Sequence, residues 1–259
     1  MMRNIILTTV LCLLAIVAVK ADEPTVNAGN LALVVSQIEL RPHRDAVIIT
    51  DRIMQALATR PESYREVLAW ADSHLADPTD SLYSDELYLT ILERALRDSV
   101  LTPAEKLRPR LMAEALAKNR VGSRAATIDY VLPDGSRHTT AELAGRHVLL
   151  LFNDPDCDAC ARVKQRIADN DTIKALVGGG RLAVLAIYSG DNERVWRMTH
   201  YPEPIIDGWN KSMSVVNDDL YYLPSQPLMY LIAPDGTVLI KNEPSLRRLM
   251  RVMLSDARP

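Results

Sequence analysis

The stretch from His147 to Cys160, HVLLLFNDPDCDAC, limits what this chain can fold into more than any other. His147 to Phe152 is a short, nearly unbroken apolar run, the pattern of a strand covered on both faces in a parallel or mixed sheet. Asn153, Asp154, Pro155 and Asp156 are turn and helix-start residues, and beyond them Val163 and Ile167 stand one helical turn apart. A Cys-x-x-Cys pair, Cys157 and Cys160, is therefore expected at the start of a helix that directly follows a central strand. That is the geometry of a redox centre.

The surrounding pattern extends this into an α/β unit. From Thr127 to Leu132 the chain alternates as a strand, Pro133-Asp134-Gly135 makes a tight turn, and Ser136 to Thr139 returns as the hairpin partner. Ala141 to Gly145 reads as a short helical turn. The helix after Cys157 breaks near Asn170, and the triple glycine at Gly178 to Gly180 is a helix stop. Arg181 to Tyr188 is a second apolar strand and Asp191 to Thr199 a helix, so strand, helix and strand imply a right-handed crossover and a parallel neighbour for the Leu149 strand. Tyr201 to Val216 reads as loop, anchored by Trp209. A hairpin turning at Pro234-Asp235-Gly236 and a helix from about Pro244 to Leu254 complete the sandwich.

Upstream the periodicity is helical. Ile49, Ile53 and Leu57 recur every four residues; Pro61 opens a helix with Tyr64, Val67, Leu68, Ala71 and Leu75 on one face; a third carries Tyr88, Ile91, Leu92, Ala95 and Leu96. A fourth is expected from Thr102, with Thr102 as cap, Glu105 closing a capping box, and Leu107, Leu111, Met112 and Leu116 facing inward. Asp22 to about Leu40 is open between helix and strand. Tyr64, Trp70, Tyr83 and Tyr88 read as packing in preference to a groove, and His43 and His74 each lack a second ligand at metal-binding spacing.

The chain has 259 residues, room for two domains at roughly 100 to 200 residues each. Its hydrophobic share of 48% and charged share of 24% are those of a soluble globular protein, and a net charge of -3 favours neither nucleic acid nor an anionic membrane. No phosphate-loop or dinucleotide glycine pattern is present, so no nucleotide cofactor is expected. Arg3 precedes an apolar run from Ile5 to Val19 that ends Val19-Lys20-Ala21, the form of a secretory signal cut after Ala21. A lipoprotein signal at Cys12 fits less well, because Leu11 is not small; an uncleaved anchor fits less well because the run is short of the roughly 20 residues that span a bilayer. Loss of the signal removes Cys12, leaving Cys157 and Cys160 as the only pair able to bridge within the exported chain. The expected organisation is residues 1–21 as signal, 22–120 as a helical domain and 121–259 as an α/β domain, with no membrane span in the mature chain.

Residues from about 124 to 259 resemble the thioredoxin fold, and within it the extracytoplasmic TlpA/ResA-like thiol-disulfide oxidoreductases. The resemblance is carried by Pro133-Asp134-Gly135, Leu143-Ala144-Gly145, the run Phe152 to Cys160, Ser225-Gln226-Pro227-Leu228-Met229-Tyr230-Leu231, and Pro234-Asp235-Gly236. The whole chain is similar to exported bacterial proteins that join such a module to an N-terminal helical domain of unknown function. The fold class implied is a thioredoxin-like mixed sheet flanked by helices, preceded by a small all-α domain. The function implied is a thiol-disulfide oxidoreductase of the periplasm or cell envelope, acting on protein thiols and disulfides with a separate electron donor.

In that reading Cys157 is the outer, attacking thiol and Cys160 the shielded, resolving one. Pro227 matches the family's cis-proline facing the pair, and Gln226 before it offers backbone hydrogen bonds to an extended substrate. Asp156 stands where the family commonly has Trp. Asp154, Asp156 and Asp158 oppose thiolate formation while the helix N-terminus favours it, with Asp156 and Asp158 as the tuning residues, so the couple is expected to be reducing in tendency. The family's buried acid has no clear counterpart, since Leu151 and Val163 fill the obvious positions. Two other readings compete: a redox-inert scaffold whose function lies in the helical domain, and a zinc knuckle, which needs further ligands from scattered histidines such as His138, His147 and His200.

Overall fold

The apolar run beginning at His147 forms β3 (His147–Phe152), and all six of its residues are buried. In the computed structural model, which describes residues 28–39, 43–199, 201–243 and 245–256, the chain divides after Ala117 into two compact units. The second unit adds β1 (Asp129–Val131), β2 (Arg137–Thr139), α6 (Asp158–Ala168), α7 (Asp171–Gly178), β4 (Leu182–Tyr188), α8 (Glu193–Met198), β5 (Ile205–Trp209), α9 (Ser214–Asn217), β6 (Leu228–Ile232), β7 (Val238–Glu243) and α10 (Leu246–Asp256). Its seven strands lie in the order β2-β1-β5-β4-β3-β6-β7. β3 runs parallel to β4 and antiparallel to β6, which makes it the strand on which both halves of the mixed sheet meet.

Burial on both sides of this sheet follows from period-two alternation in strands with no polar face. Val148, Leu150, Phe152, Leu185, Ile187 and Tyr230 point to one side, where Ile128, Tyr130, Val215 and Tyr221 cover them. Leu149, Leu151, Val184, Ala186, Met229 and Leu231 point to the other, beneath Val163 and Ile167 of α6, Ile173 and Leu176 of α7, and Leu249 and Met253 of α10. Each large apolar side chain so buried stabilises the fold by roughly 1.5–3 kcal/mol. Asn170 caps α7 by accepting from the Ile173 amide at 3.0 Å, which explains the break between α6 and α7. The hairpin turn places Gly135 at φ 87, a conformation that glycine adopts without strain.

β5 lies within Tyr201 to Val216, where the sequence pattern indicates loop. Its neighbours explain why glycine suits the strand there: a Cβ on Gly208 would lie 3.0 Å from Ile187, Leu185 and Tyr130 side-chain carbons, so a larger residue would need these neighbours to shift for β5 to sit flush between β4 and β1.

The first unit contains α1 (Ala28–Glu39), α2 (His43–Leu57), α3 (Pro61–His74), α4 (Asp85–Arg97) and α5 (Leu107–Leu116), so the part of the open segment from Ala28 to Glu39 is helix, residues 22–27 lying outside the described residues. α4 is its hub, with Leu87, Tyr88, Leu89, Ile91, Leu92 and Ala95 buried against α2, α3 and α5. Tyr64, Trp70 and Tyr88 are core residues, in keeping with the packing reading. The C-terminal end of α4 is closed by Lys106, whose Nζ donates to the carbonyls of Leu96 at 2.9 Å and Asp98 at 2.6 Å. Arg94 binds Asp98 and Asp51, and the Tyr64 hydroxyl donates to Asp98.

The expected start and inward face of the last helix need correction. Thr102 and Glu105 do exchange hydrogen bonds, Glu105 accepting from the Thr102 amide at 2.8 Å and the Glu105 amide donating to Thr102 Oγ1 at 3.3 Å, but they close a single turn. The helix itself begins at Leu107, and its buried line is Pro109, Ala113 and Leu116. Leu107 and Leu111 lie two residues ahead of Pro109 and Ala113, about 200° round the helix, and are 61% and 67% exposed. Truncating Leu116 to Ala is therefore expected to cost about 2–5 kcal/mol in urea unfolding and Leu111→Ala no more than about 0.5 kcal/mol; equal costs would place Leu111 on the inward face after all.

Candidate functional site

β3 ends at Phe152, and the next five residues carry the chain over the edge of the sheet into α6. Asn153 is fully buried; its amide and its side-chain Nδ2 both donate to the Ile187 carbonyl at 3.2 Å, so the loop is pinned to β4 as soon as it leaves β3. Asp154 Oδ1 accepts from the Asp156 amide at 2.9 Å, the local turn that brings Cys157 to the N-cap of α6. Cys157 and Cys160 are joined as a disulfide with their Cα atoms 5.2 Å apart. Cys157 is half-buried and Cys160 fully buried. The Cys160 amide donates to Cys157 Sγ at 3.1 Å, a first-turn N–H aimed at the outer sulfur, which is the interaction that favours its thiolate when the pair is reduced.

The sheet register carries a second segment to the same end. Leu228 at the start of β6 pairs with Phe152 at the end of β3, so the Gln226–Pro227 junction, a cis peptide, lies at the edge from which the cysteine loop leaves. Gln226 Oε1 is buried there without a hydrogen-bond partner among the described residues. Asp154, Asp156 and Asp158 are exposed around the pair, and Arg162, the nearest cation in sequence, is also exposed.

Beneath α6 lies a polar group that local sequence pattern does not reveal. Lys164, one turn beyond Cys160, is buried, and its amine sits 4.1 Å from the centre of the Tyr201 ring. The Tyr201 hydroxyl donates to Asn153 Oδ1 at 3.1 Å, so α6, the segment before β5 and the start of the cysteine loop are tied through one aromatic ring. Asp207 on β5 is in register with Ala186, which is in register with Leu151, and so lies two strands from β3 on the face that α6 covers. It accepts from the Trp196 indole. Burial raises Asp207 to about 6 against the Trp196 hydrogen bond and the Lys164 charge, and burial lowers Lys164 against the attraction of Asp207. A half-buried acid is thus present, on a strand where the sequence pattern indicates loop. The run Ile205-Ile206-Asp207-Gly208-Trp209 holds the signal, apolar residues of strand length after a helix, obscured by Asp and Gly.

Among the described residues no three His, Cys, Asp or Glu side chains are grouped to hold a metal. His138 bonds Glu142 at 2.8 Å and Ser136 at 3.0 Å, and His147 is buried on β3; His200 lies outside the described residues.

Residues 137–244 match the family model described as a thioredoxin-like domain. The C-terminal unit is a thioredoxin-like domain. The chain is similar to a thioredoxin-like protein from Bacteroides caccae, with 25% identity and a TM-score of 0.80 over 88% of this chain and 83% of that one, a likeness that extends beyond the thioredoxin-like domain itself. It is also similar to the C-terminal domain of an uncharacterized protein from Bacteroides fragilis, with 27% identity and a TM-score of 0.50 over 52% of this chain and 98% of that one. A conserved protein of unknown function from Bacteroides fragilis is 30% identical, with a TM-score of 0.49 over 51% of this chain and 97% of that one. No curated protein matches the chain.

The polar floor of the thioredoxin-like domain gives a pH signature. The folded Asp207 carboxyl, at about 6, sits above its unfolded value of about 3.9, so its stabilisation is complete below about pH 4 and is lost as pH rises through about 6. Relative to Asp207→Asn, which lacks this dependence, the wild type should lose about 1 to 2 kcal/mol across that window once partial exposure is allowed for. Denaturant melts of both proteins from pH 4 to 7 test this, and parallel curves would exclude it.

Proposed function

We propose that this chain is an exported thiol-disulfide oxidoreductase, reducing in tendency, that acts on protein disulfides through Cys157 and Cys160. The observation that carries the reading is the unequal exposure of two bonded sulfurs at the mouth of one helix: Cys157 half-buried at the N-cap, Cys160 fully buried a turn inside. Only the first can meet a substrate, and only the second is positioned to release it.

In the reducing direction the Cys157 thiolate attacks one sulfur of a substrate disulfide, forming a mixed disulfide and expelling one substrate thiolate. The Cys160 thiolate then attacks Cys157 Sγ, expels the second substrate thiolate and leaves the Cys157–Cys160 disulfide. Two electrons pass to the substrate, and the two protons its thiolates take up balance those lost from the cysteine thiols. A dithiol donor returns the pair to its reduced form. Gln226 and Pro227 serve as the edge along which an extended substrate segment lies, supported by their place beside the cysteine loop in the sheet register.

The reducing tendency rests on charge. Asp154, Asp156 and Asp158 surround Cys157 without a basic partner among the described ion pairs, so they work against the helix N-terminus and hold the thiolate less firmly than the dipole alone would. Export rests on Arg3 and the apolar run Ile5 to Val19, which lie outside the described residues. No described helix is long and apolar enough to cross a membrane.

The pre-reduced protein should reduce insulin in a turbidity assay, Cys157→Ser should abolish this, and Cys160→Ser should accumulate a mixed disulfide visible on a non-reducing gel. Wild-type protein that leaves insulin oxidised, with its own cysteines demonstrably reduced beforehand, contradicts the proposal. The couple should lie well below about -120 mV, the strongly oxidising end of such proteins. Asp156→Asn should move it upward by roughly 10 to 30 mV, as one exposed charge nearby allows; a downward shift would refute the charge argument.

A further inference from the structure

The helical unit contains a cavity of about 250 Å³ between α3, α4 and the start of α5. Its floor is apolar: Tyr88 and Leu92 of α4, Leu101, and Pro109 are buried, and Leu68 of α3 is half-buried. Its two ends are ion-pair bridges. Arg65 reaches Glu105 at 2.7 Å, and Arg108 reaches Asp72 at 2.7 Å. Arg65 and Asp72 are seven residues apart on α3, hence on one face and separated by about 10 Å along the axis, with Leu68 and Ala69 between them. The cavity is a slot, closed at either end by a guanidinium and a carboxylate that neutralise each other.

We infer that this slot is a binding site for an uncharged, two-ring-sized apolar group. The size follows from the volume, which holds roughly ten non-hydrogen atoms at the packing density of an organic liquid. The absence of charge follows from the rim. Both carboxylates are engaged by arginine, both arginines by carboxylate, and the Tyr88 hydroxyl donates to Asp72. A charged ligand finds no net opposite charge and loses hydration on entering, whereas a neutral ring gives up only apolar surface. The rim pairs also fix the slot's width, because each joins α3 to the segment that forms the opposite wall.

Three probes with one ring system and different charge test the inference on the full-length chain: indole, indole-3-acetate and tryptamine, followed by calorimetry or saturation-transfer NMR. Indole should bind saturably with a Kd below about 1 mM, the affinity available to a ligand of this size, and the anion and cation at least about fivefold more weakly. Ala69→Trp, at an exposed position on the slot's edge, should fill it and weaken indole binding more than about tenfold while the thermal midpoint holds. Glu105→Gln leaves Arg65, still held by the Pro61 and Val100 carbonyls, without its carboxylate counter-charge and should raise affinity for indole-3-acetate several-fold without helping tryptamine, a result that a collapse of the fold cannot imitate. Non-saturable indole binding, equal affinity for all three probes, or a folded Ala69→Trp protein that binds like the wild type would each overturn the inference.

Discussion

The burial of β3 on both faces is the constraint that shapes the rest of the C-terminal unit. A strand with all six residues buried, five of them apolar, has no side to give to water, so it can stand only between two partners and beneath two layers of cover. β4 supplies the parallel partner and β6 the antiparallel one. Because both ladders are in register with β3 to Phe152, segments that leave or enter the sheet at that end arrive together. The cysteine loop leaves there and the Gln226–Pro227 segment enters there. The neighbourhood of the sulfurs is thus fixed by strand pairing, with the local turn at Asp154 setting only the final orientation.

A helix laid over such a sheet is ordinarily seated by apolar contacts alone, as α6 is through Val163 and Ile167. Here the same helix also buries Lys164, a residue whose charge is costly to desolvate. That cost is offset by the Tyr201 ring, worth roughly 0.5–2 kcal/mol, and by the field of Asp207. The arrangement couples parts that apolar packing would leave independent: moving α6 relative to the sheet disturbs the Lys164–Tyr201 contact, and through the Tyr201 hydroxyl it disturbs Asn153, the first residue of the cysteine loop.

Legibility in the sequence ends where local pattern ends. The β3 run, the turn at Pro133-Asp134-Gly135, the cap at Asn170 and the cysteine pair at a helix start are each written in a few adjacent residues, and each stands in the structure where its pattern places it. The readings that fail depend on a neighbour distant in the chain. Gly208 looks like loop until Ile187, Leu185 and Tyr130 close tightly around it. Lys164 carries no mark in its local sequence, and its burial follows only from Tyr201 and Asp207 being brought under it. Leu107 and Leu111 have the spacing of an inward stripe, but the face that packs on α4 is the one about 200° round, with Pro109 and Ala113.

Charge is used differently in the two units, and the difference bears on the redox role proposed for the cysteine pair. In the helical unit, Asp51, Asp72, Asp98 and Glu105 are each paired with an arginine, so their field is largely cancelled within a few ångströms; the Asp51, Asp72 and Glu105 pairs join separate segments, and Asp98 pairs with Arg94 one turn earlier on α4. Around Cys157, Asp154, Asp156 and Asp158 are exposed, and among the described ion pairs none has a basic partner. Exposed carboxylates contribute little to stability in water, and in the proposed redox role they oppose, through a solvent-screened field, a thiolate forming beside them. If the pair turns over as proposed, their placement shifts the balance between dithiol and disulfide while leaving the fold nearly untouched, the separation of roles that a redox couple mounted on a rigid sheet requires.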